Sequence, residues 1–469
     1  MNARWTSITQ LREGIAGVLD IGVEQRVTVL DEAALRERLI GNLVYNAAVG
    51  RDDGIKEGSR WLVREAARAL GVFPASIHEM YSARGRGEWG GLTVPAINAR
   101  GMTYDEARAA FRAALGLKAV AFIIEIARSE IGYTQQSPAE YATGVLGAAV
   151  REGYRGPVFI QGDHYQVNRE RFQKEPLAEI DTLKGLIRES VLAGFFNIDI
   201  DASTLVDLSH CSLEAQQEPN YSVTAELSAT IRQHQPPGVT IAIGAEIGEV
   251  GRRNSTLEDL DAFMGGYLRL AGERGISPGV GKLSVQTGTS HGGVLLPNGS
   301  MAEVELDFDT LKRMSQAARE RYGMAGAVQH GASTLPDELF HRFPQEETAE
   351  IHLATSFQNT AMDSAHFPSG LREEMHVHLR EKYGAGKRPE ETDVQLMYRE
   401  RKRAWGPFKD KIWDIPQSNL DRIGEELEAV FTFLFTQLGI GNTMELADRY
   451  IRPVDVPMPM PALLVEALG

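Results

Sequence analysis

Three histidines, His164, His291 and His330, each close a short apolar run, and together they carry the most specific chemistry in the chain. Three neutral imidazoles are a sufficient ligand set for catalytic Zn2+ with positions left open for substrate, and Co2+, Mn2+ or Fe2+ accept the same donors. Asp163 directly precedes His164, and a carboxylate beside a Lewis acid is suited to moving a proton to and from a hydroxyl. Glu246 and Asp201 end two further runs. Glu246 is expected as an alternate metal ligand and Asp201 as the group that orients a ligand histidine. Small residues follow the ligands: Gly292 and Gly293 after His291, Gly331, Ala332 and Ser333 after His330, then Thr355 and Ser356 after the last run. Backbone N–H groups and hydroxyls exposed there would form a phosphate seat.

Such residues act together only if the fold brings them to one rim. The runs are VPAIN (94 to 98), AVAFIIEI (119 to 126), VFIQGDH (158 to 164), NIDIDAS (197 to 203), VTIAIGAE (239 to 246), LSVQTGTSH (283 to 291), GAVQHGAS (326 to 333) and EIHLATS (350 to 356). Segments with helical periodicity separate them. One is TYDEARAAFRAALG (103 to 116), whose Thr103 and Glu106 read as a capping signal. Apolar strands alternating with amphipathic helices imply a parallel sheet with right-handed crossovers, and a count of eight selects a (β/α)8 TIM barrel over an open sheet. Polar residues at the carboxyl ends of its strands are where such a barrel builds its site. Residues 91 to 360 are assigned to the barrel. Residues 1 to 90 and 361 to 469 are expected to be mostly helical extensions that carry no site motif and cover the barrel or form a subunit interface.

At 469 residues and 43% apolar composition the chain can bury one large core and its appendages. A formal charge of -15 and a pI near 5.3 argue against general affinity for nucleic acid or anionic membrane. Cys211 is the only cysteine, which excludes an intramolecular disulfide and a cysteine-based zinc site and fits a reducing cytoplasm. The start of the sequence lacks the apolar core of a secretory signal, and no stretch reaches the length of a membrane span. The expectation is a cytoplasmic protein that binds neither nucleic acid nor membrane.

The strand ends resemble those of the class II, metal-dependent ketose-bisphosphate aldolases. The family's Asp-His pair is similar to GDH (162 to 164), its Ile-Asp-Gly-Ser to IDAS (200 to 203), and its Glu-Leu-Gly to EIGEVG (246 to 251). GTSHG (288 to 292) and HGAST (330 to 334) resemble its two histidine motifs. The resemblance runs from about Val94 to Asn359. It implies Asp163 as catalytic acid/base, His164, His291 and His330 as zinc ligands, and Glu246 as a second metal position. Gly292, Gly331 and Ser333 would contact a phosphate, with Asn98, Gly293, His352, Thr355 and Ser356 completing the substrate set and a monovalent cation as an additional candidate cofactor. The implied reaction is aldol cleavage or formation in a phosphorylated ketose through a metal-stabilised enediolate, by a homodimer or larger assembly. Three places depart from the pattern. Arg252, Arg253 and Asn254 replace an acidic loop, leaving Glu249, Glu258 or Asp259 to substitute or the arginines to clamp an anion; His352 stands where Asn is usual; Ser356 replaces an acid. They make a ketose epimerase, or a non-catalytic subunit, the alternative readings.

Overall fold

Eight strands, each buried over most of its length, pair in parallel and close on themselves in the computed structural model, which describes residues 3–22, 24–247, 253–288 and 306–468. They are β1 (Val94–Asn98), β2 (Ile123–Ala127), β3 (Gly156–Gln166), β4 (Asn197–Asp201), β5 (Ala242–Glu246), β6 (Lys282–Val285), β7 (Ala327–Gln329) and β8 (Glu350–Leu353). Each pairs with the next in sequence, and β8 returns to β1 with Glu350 opposite Val94 and Leu353 opposite Ile97. The protein is therefore a closed (β/α)8 barrel with helical extensions, as the count of apolar runs predicts. Burial on both faces explains why its strands read as near-continuous apolar runs rather than as alternating ones.

The helix expected at 103 to 116 spans Thr103–Leu117, but its start differs from the expected capping signal. Met102 holds the cap position, and Thr103 turns its hydroxyl back to the Ala99 carbonyl at 2.9 Å. Glu106 is buried instead of capping. The N-terminal extension adds an element the sequence did not announce. Val72–Ala75 pairs in parallel with the first half of β3, Val72 opposite Gly156, and leads into the helix His78–Gly85. From that helix Tyr81 donates its hydroxyl to the Glu350 carboxylate at the start of β8.

The barrel interior is not purely apolar. Glu125, Asp199, Lys282 and Glu350 come from β2, β4, β6 and β8, and side chains from alternate strands are what build one interior layer of such a barrel. Lys282 is 1% exposed; its Nζ lies 2.8 Å from Asp199 Oδ2, donates to Gln161 Oε1 at 2.8 Å and pairs with Glu350 Oε1. A Cβ at Gly244 on β5 would come within 2.2 Å of Asp199 Oδ1, so glycine there leaves room for the ion cluster.

The C-terminal extension is pinned to the top of the barrel. Trp405, 1% exposed, lies against Gly101 just after β1, where φ is +84° and an added Cβ would sit 2.3 Å from the indole. Gly406 N–H donates to the Tyr133 carbonyl at 3.1 Å. The helix Gln417–Gln437 packs along Thr103–Leu117, with Arg112 bridging to Glu428 at 2.5 Å. Among the described residues, no helix is long and apolar enough to cross a membrane.

Candidate active site at the barrel's carboxyl rim

The site begins with a β-bulge. Gly162 of β3 pairs with Ile198 and Tyr165 with Ile200, so Asp163 and His164 together oppose the single residue Asp199. His164 adopts φ +40°, a left-handed conformation uncommon for a residue with a side chain. Bulges of this kind re-aim side chains next to active sites. Here the bulge turns two consecutive side chains to the same rim, which the strand's alternation would otherwise forbid.

His164 is the centre of the cluster. Its Nε2 is 2.8 Å from His330 Nδ1, and its Nδ1 is 3.0 Å from Glu246 Oε2 and 3.4 Å from Asp201 Oδ2. Asp201 is itself fixed by Ser203 Oγ and Gln166 Nε2, both donating at 2.6 Å. One ligand atom from each of His164, Glu246 and His330 lies within 4.8 Å of the others. Burial opposes a charged His164, but Asp163, Glu246 and Asp201 outweigh it and raise the imidazole well above its ordinary value. Burial and Asp201 push Glu246 up to about 7, against the pull of His164. The position thus favours positive charge, and its donors are two imidazoles and a carboxylate, a set that suits a divalent ion of the zinc kind.

Asp163 sits between this cluster and the interior layer. Its Oδ1 is 3.0 Å from His352 Nδ1, and Asn98 Nδ2 reaches its Oδ2 at 3.5 Å. His352 is held from below by Glu350 Oε1 at 2.7 Å and from the side by Glu125 Oε1 at 3.0 Å, and its ring centre is 4.0 Å from that of His330. Burial works against a charged His352; Glu125 and Asp163 overcome it and raise the imidazole well above its usual value. Burial and Asp163 push Glu125 up to about 7.

The small residues after β7 and β8 also meet. Ser333 Oγ accepts from Ala354 N–H at 2.8 Å and from Thr355 N–H at 3.3 Å, joining the turn after Gly331 (φ +71°) to the start of the helix Thr355–Asp363. Gly331, Ser333 and Thr355 line the same cavity of about 1340 Å³ as Asp163, His164 and His330. Ser356 is not among the residues that line it.

The structure thus brings together Asn98, Asp163, His164, Asp201, Glu246, His330, Gly331, Ser333, His352 and Thr355. His291, Gly292 and Gly293 lie outside the described residues, as do Glu249 and Arg252. Arg253 forms a two-pronged pair with Asp259 at 2.7 and 2.8 Å. Asp259 in turn caps the helix Leu257–Arg274 with Thr256, and neither residue is among the described residues that line the cavity. Sequence reasoning missed Glu125, Asp199, Lys282 and Glu350, although a charge inside each of IIEI, NIDID, KLSV and EIHL was a visible signal. It also missed the C-terminal extension, whose Arg388, Glu391, Gln395, Tyr398, Arg399 and Lys402 line the cavity.

A closed parallel barrel with imidazoles and carboxylates converging at the carboxyl ends of its strands defines the class of protein to which this chain is to be compared. The family model described as class-II fructose-bisphosphate aldolase matches residues 82–405, and the chain belongs to that family. A protein of Coccidioides immitis (strain RS) described as a fructose-bisphosphate aldolase is 28% identical over 160 residues. That match covers 34% of this chain and 47% of the relative, so the chain spans about half the relative's length. Two solved structures share the fold. One is described as a tagatose 6-phosphate kinase from Sinorhizobium meliloti 1021, at 16% identity and TM-score 0.52, covering 80% of this chain and 98% of that one. The other is a fructuronate-tagaturonate epimerase from Cohnella laeviribosi, at 12% identity and TM-score 0.53, covering 84% and 90%.

Proposed function

We propose that the protein is a metal-dependent aldolase that cleaves or forms a carbon–carbon bond in a phosphorylated ketose. The observation that carries this reading is the convergence of His164, His330 and Glu246 within 4.8 Å, with Asp163 turned to the same rim by the bulge in β3. His164 and His330 would hold a divalent ion, zinc by donor type, with Glu246 as the alternate position and His291 as a further ligand. When bound, that ion supplies Lewis acidity for the ketone and its neighbouring hydroxyl.

Asp163 moves the proton of the hydroxyl beside the bond that breaks, taking it in cleavage and returning it in condensation. His352 and Asn98 fix the carboxylate in the direction of that proton. The backbone after Gly331 and the N–H groups that follow Thr355 in the helix Thr355–Asp363 seat a phosphate, with Ser333 Oγ holding the Thr355 N–H and joining the two segments. A second reading, epimerisation of a ketose, is favoured by His352: an imidazole 3.0 Å from Asp163 gives the pocket a second proton-carrying group.

Metal content and product analysis on one sample test both. The expected result is one divalent ion per chain and triose products from a ketose phosphate. A new ketose without trioses selects the epimerase. Asp163→Asn is expected to lower turnover about 10²- to 10⁴-fold with metal retained. Full turnover in that variant overturns the assignment of the acid/base.

A further inference from the structure

Glu130 is a buried carboxylate at the rim that the chemistry above leaves without a task. It is 6% exposed, lines the cavity, and is the third residue of the helix Arg128–Thr134 that follows β2. β2 lies between the strands that carry Asn98 and Asp163: Asn98 is opposite Glu125, and Ala127 is opposite Asp163. A side chain just past β2 is therefore placed between the two.

Both oxygens of Glu130 are in use. Oε2 accepts from Asn98 Nδ2 at 2.6 Å and from Ala127 N–H at 2.8 Å. Oε1 accepts from Arg100 Nη1 at 2.5 Å and from the Tyr133 hydroxyl at 3.4 Å. Donors on both oxygens fix the plane of the carboxylate. Asn98, 3% exposed, is held in turn. Its Nδ2 faces two carboxylates, Glu130 and, at 3.5 Å, Asp163 Oδ2. Ionised carboxylates accept and never donate, so this end of the amide is the nitrogen. Asn98 Oδ1 is left buried with no hydrogen-bond partner among the described residues. The carboxylates therefore decide how the amide lies, and Glu130 is the closer of the two.

We propose that Glu130 is a positioning residue for the acid/base: it anchors the Asn98 amide with Nδ2 directed at Asp163 Oδ2, and so fixes the carboxylate that moves the proton. The role rests on the ketose reading given above, which makes Asp163 the proton carrier. Asp163 then has a nitrogen beside each oxygen, His352 Nδ1 at 3.0 Å from Oδ1 and Asn98 Nδ2 at 3.5 Å from Oδ2. A glutamine could not replace the anchor. It has one accepting oxygen, and its NH2 must face either Asn98 and Ala127 or Arg100; in both poses the charge-assisted bond to Asn98 becomes neutral or is lost. Displacing a reacting group by about 1 Å can cost about 10²-fold in rate, so a residue that acts only through Asn98 still acts on kcat.

Steady-state kinetics of the zinc-loaded full chain, with fructose 1,6-bisphosphate as the probe, tests this. Glu130→Gln is expected to lower kcat about tenfold or more, with KM, metal content and Tm near wild type, a split that loss of structure would not give. In an Asn98→Ala background the same change should cause no further loss, because Glu130 acts through Asn98. Tyr133→Phe, which removes a donor from the other oxygen, should keep turnover. Wild-type kcat in Glu130→Gln, equal losses in Glu130→Gln and Tyr133→Phe, or losses that multiply in the double variant overturn the proposal. A second readout needs no turnover. Selective isotopic labelling of asparagine, read by NMR, shows the Asn98 side-chain amide, assigned by its loss in Asn98→Ala. Its protons should move upfield in Glu130→Gln as the short bond weakens, and stay in place in Tyr133→Phe. An amide signal unmoved in Glu130→Gln overturns the proposal. A wild type that converts no ketose removes the reading of Asp163 instead, and the amide shift then decides by itself whether Glu130 holds Asn98.

Discussion

Replacing Lys282 by Met tests whether the ion cluster inside the barrel holds the site from below. Methionine keeps the length and most of the volume of the lysine stem, so the change removes charge rather than packing. The ammonium it removes is 2.8 Å from Asp199 Oδ2, 2.8 Å from Gln161 Oε1 and in contact with Glu350 Oε1, at 1% exposure. Removing one partner of a buried ion pair costs about 3–5 kcal/mol, because the other charge is left uncompensated. At about 2 °C per kcal/mol for a barrel of this size, Tm should fall by roughly 6–10 °C. The pH dependence has a definite sign. Burial would raise the Glu350 carboxyl, but Lys282 and His352 outweigh it and hold it well below its ordinary value of 4.5. A depressed carboxyl contributes stability above 4.5 that is lost as pH falls through the folded value. Without Lys282, burial dominates, Glu350 rises, and the variant loses stability as pH rises above 4.5. The deficit against wild type should therefore already exist near pH 4.5 and widen towards pH 8. Differential scanning calorimetry across that range reads it. An equal deficit at pH 5 and pH 8, or none, refutes the claim that Lys282 compensates buried carboxylates.

Two further outcomes follow from buried side chains. Burial pushes Glu106 up to about 8 against the pull of Arg100; a raised folded value means that the wild type loses stability as pH climbs from 4.5 to 8. Glu106→Gln should remove that slope, so that the variant's Tm gains on the wild type over this interval, and parallel Tm profiles would contradict it. Trp405→Ala should cost about 3–5 kcal/mol and free the segment that carries Arg388 and Lys402, read as trypsin cleavage there at a temperature where the barrel stays folded. Cleavage no faster than in the wild type would show that another contact docks the extension.

Much of the rim was legible before any coordinate, because a strand end needs only sequence position to be placed on a closed parallel barrel. The runs ending in GDH, IDAS, AIGAE and QHGAS lead to side chains that do meet. Asp163 and His164 were legible as neighbours, but their common direction depends on the bulge between Gly162 and Tyr165, a register shift that no residue type announces. Arg253 and Asp259 looked chemically available, yet pairing with each other and with Thr256 uses them to cap a helix. Glu125, Asp199, Lys282 and Glu350 were visible as charges in apolar runs. That Lys282 pairs with Asp199 and Glu350 while Glu125 meets His352 is a statement about residues up to 227 positions apart (352 − 125 = 227).

By itself the sequence determined the barrel and the donor types at its rim, since apolar periodicity fixes the elements and parallel closure fixes which strand ends face one another. Only the tertiary structure decided what lies beneath and above them. Below, four charged side chains share one layer because alternate strands point to the same level. Above, Lys402 reaches the mouth because Trp405 fills the space left by Gly101, a contact between two segments 304 residues apart in sequence (405 − 101 = 304). Chain entropy makes such long-range contacts invisible to local pattern, and only the packed core selects them.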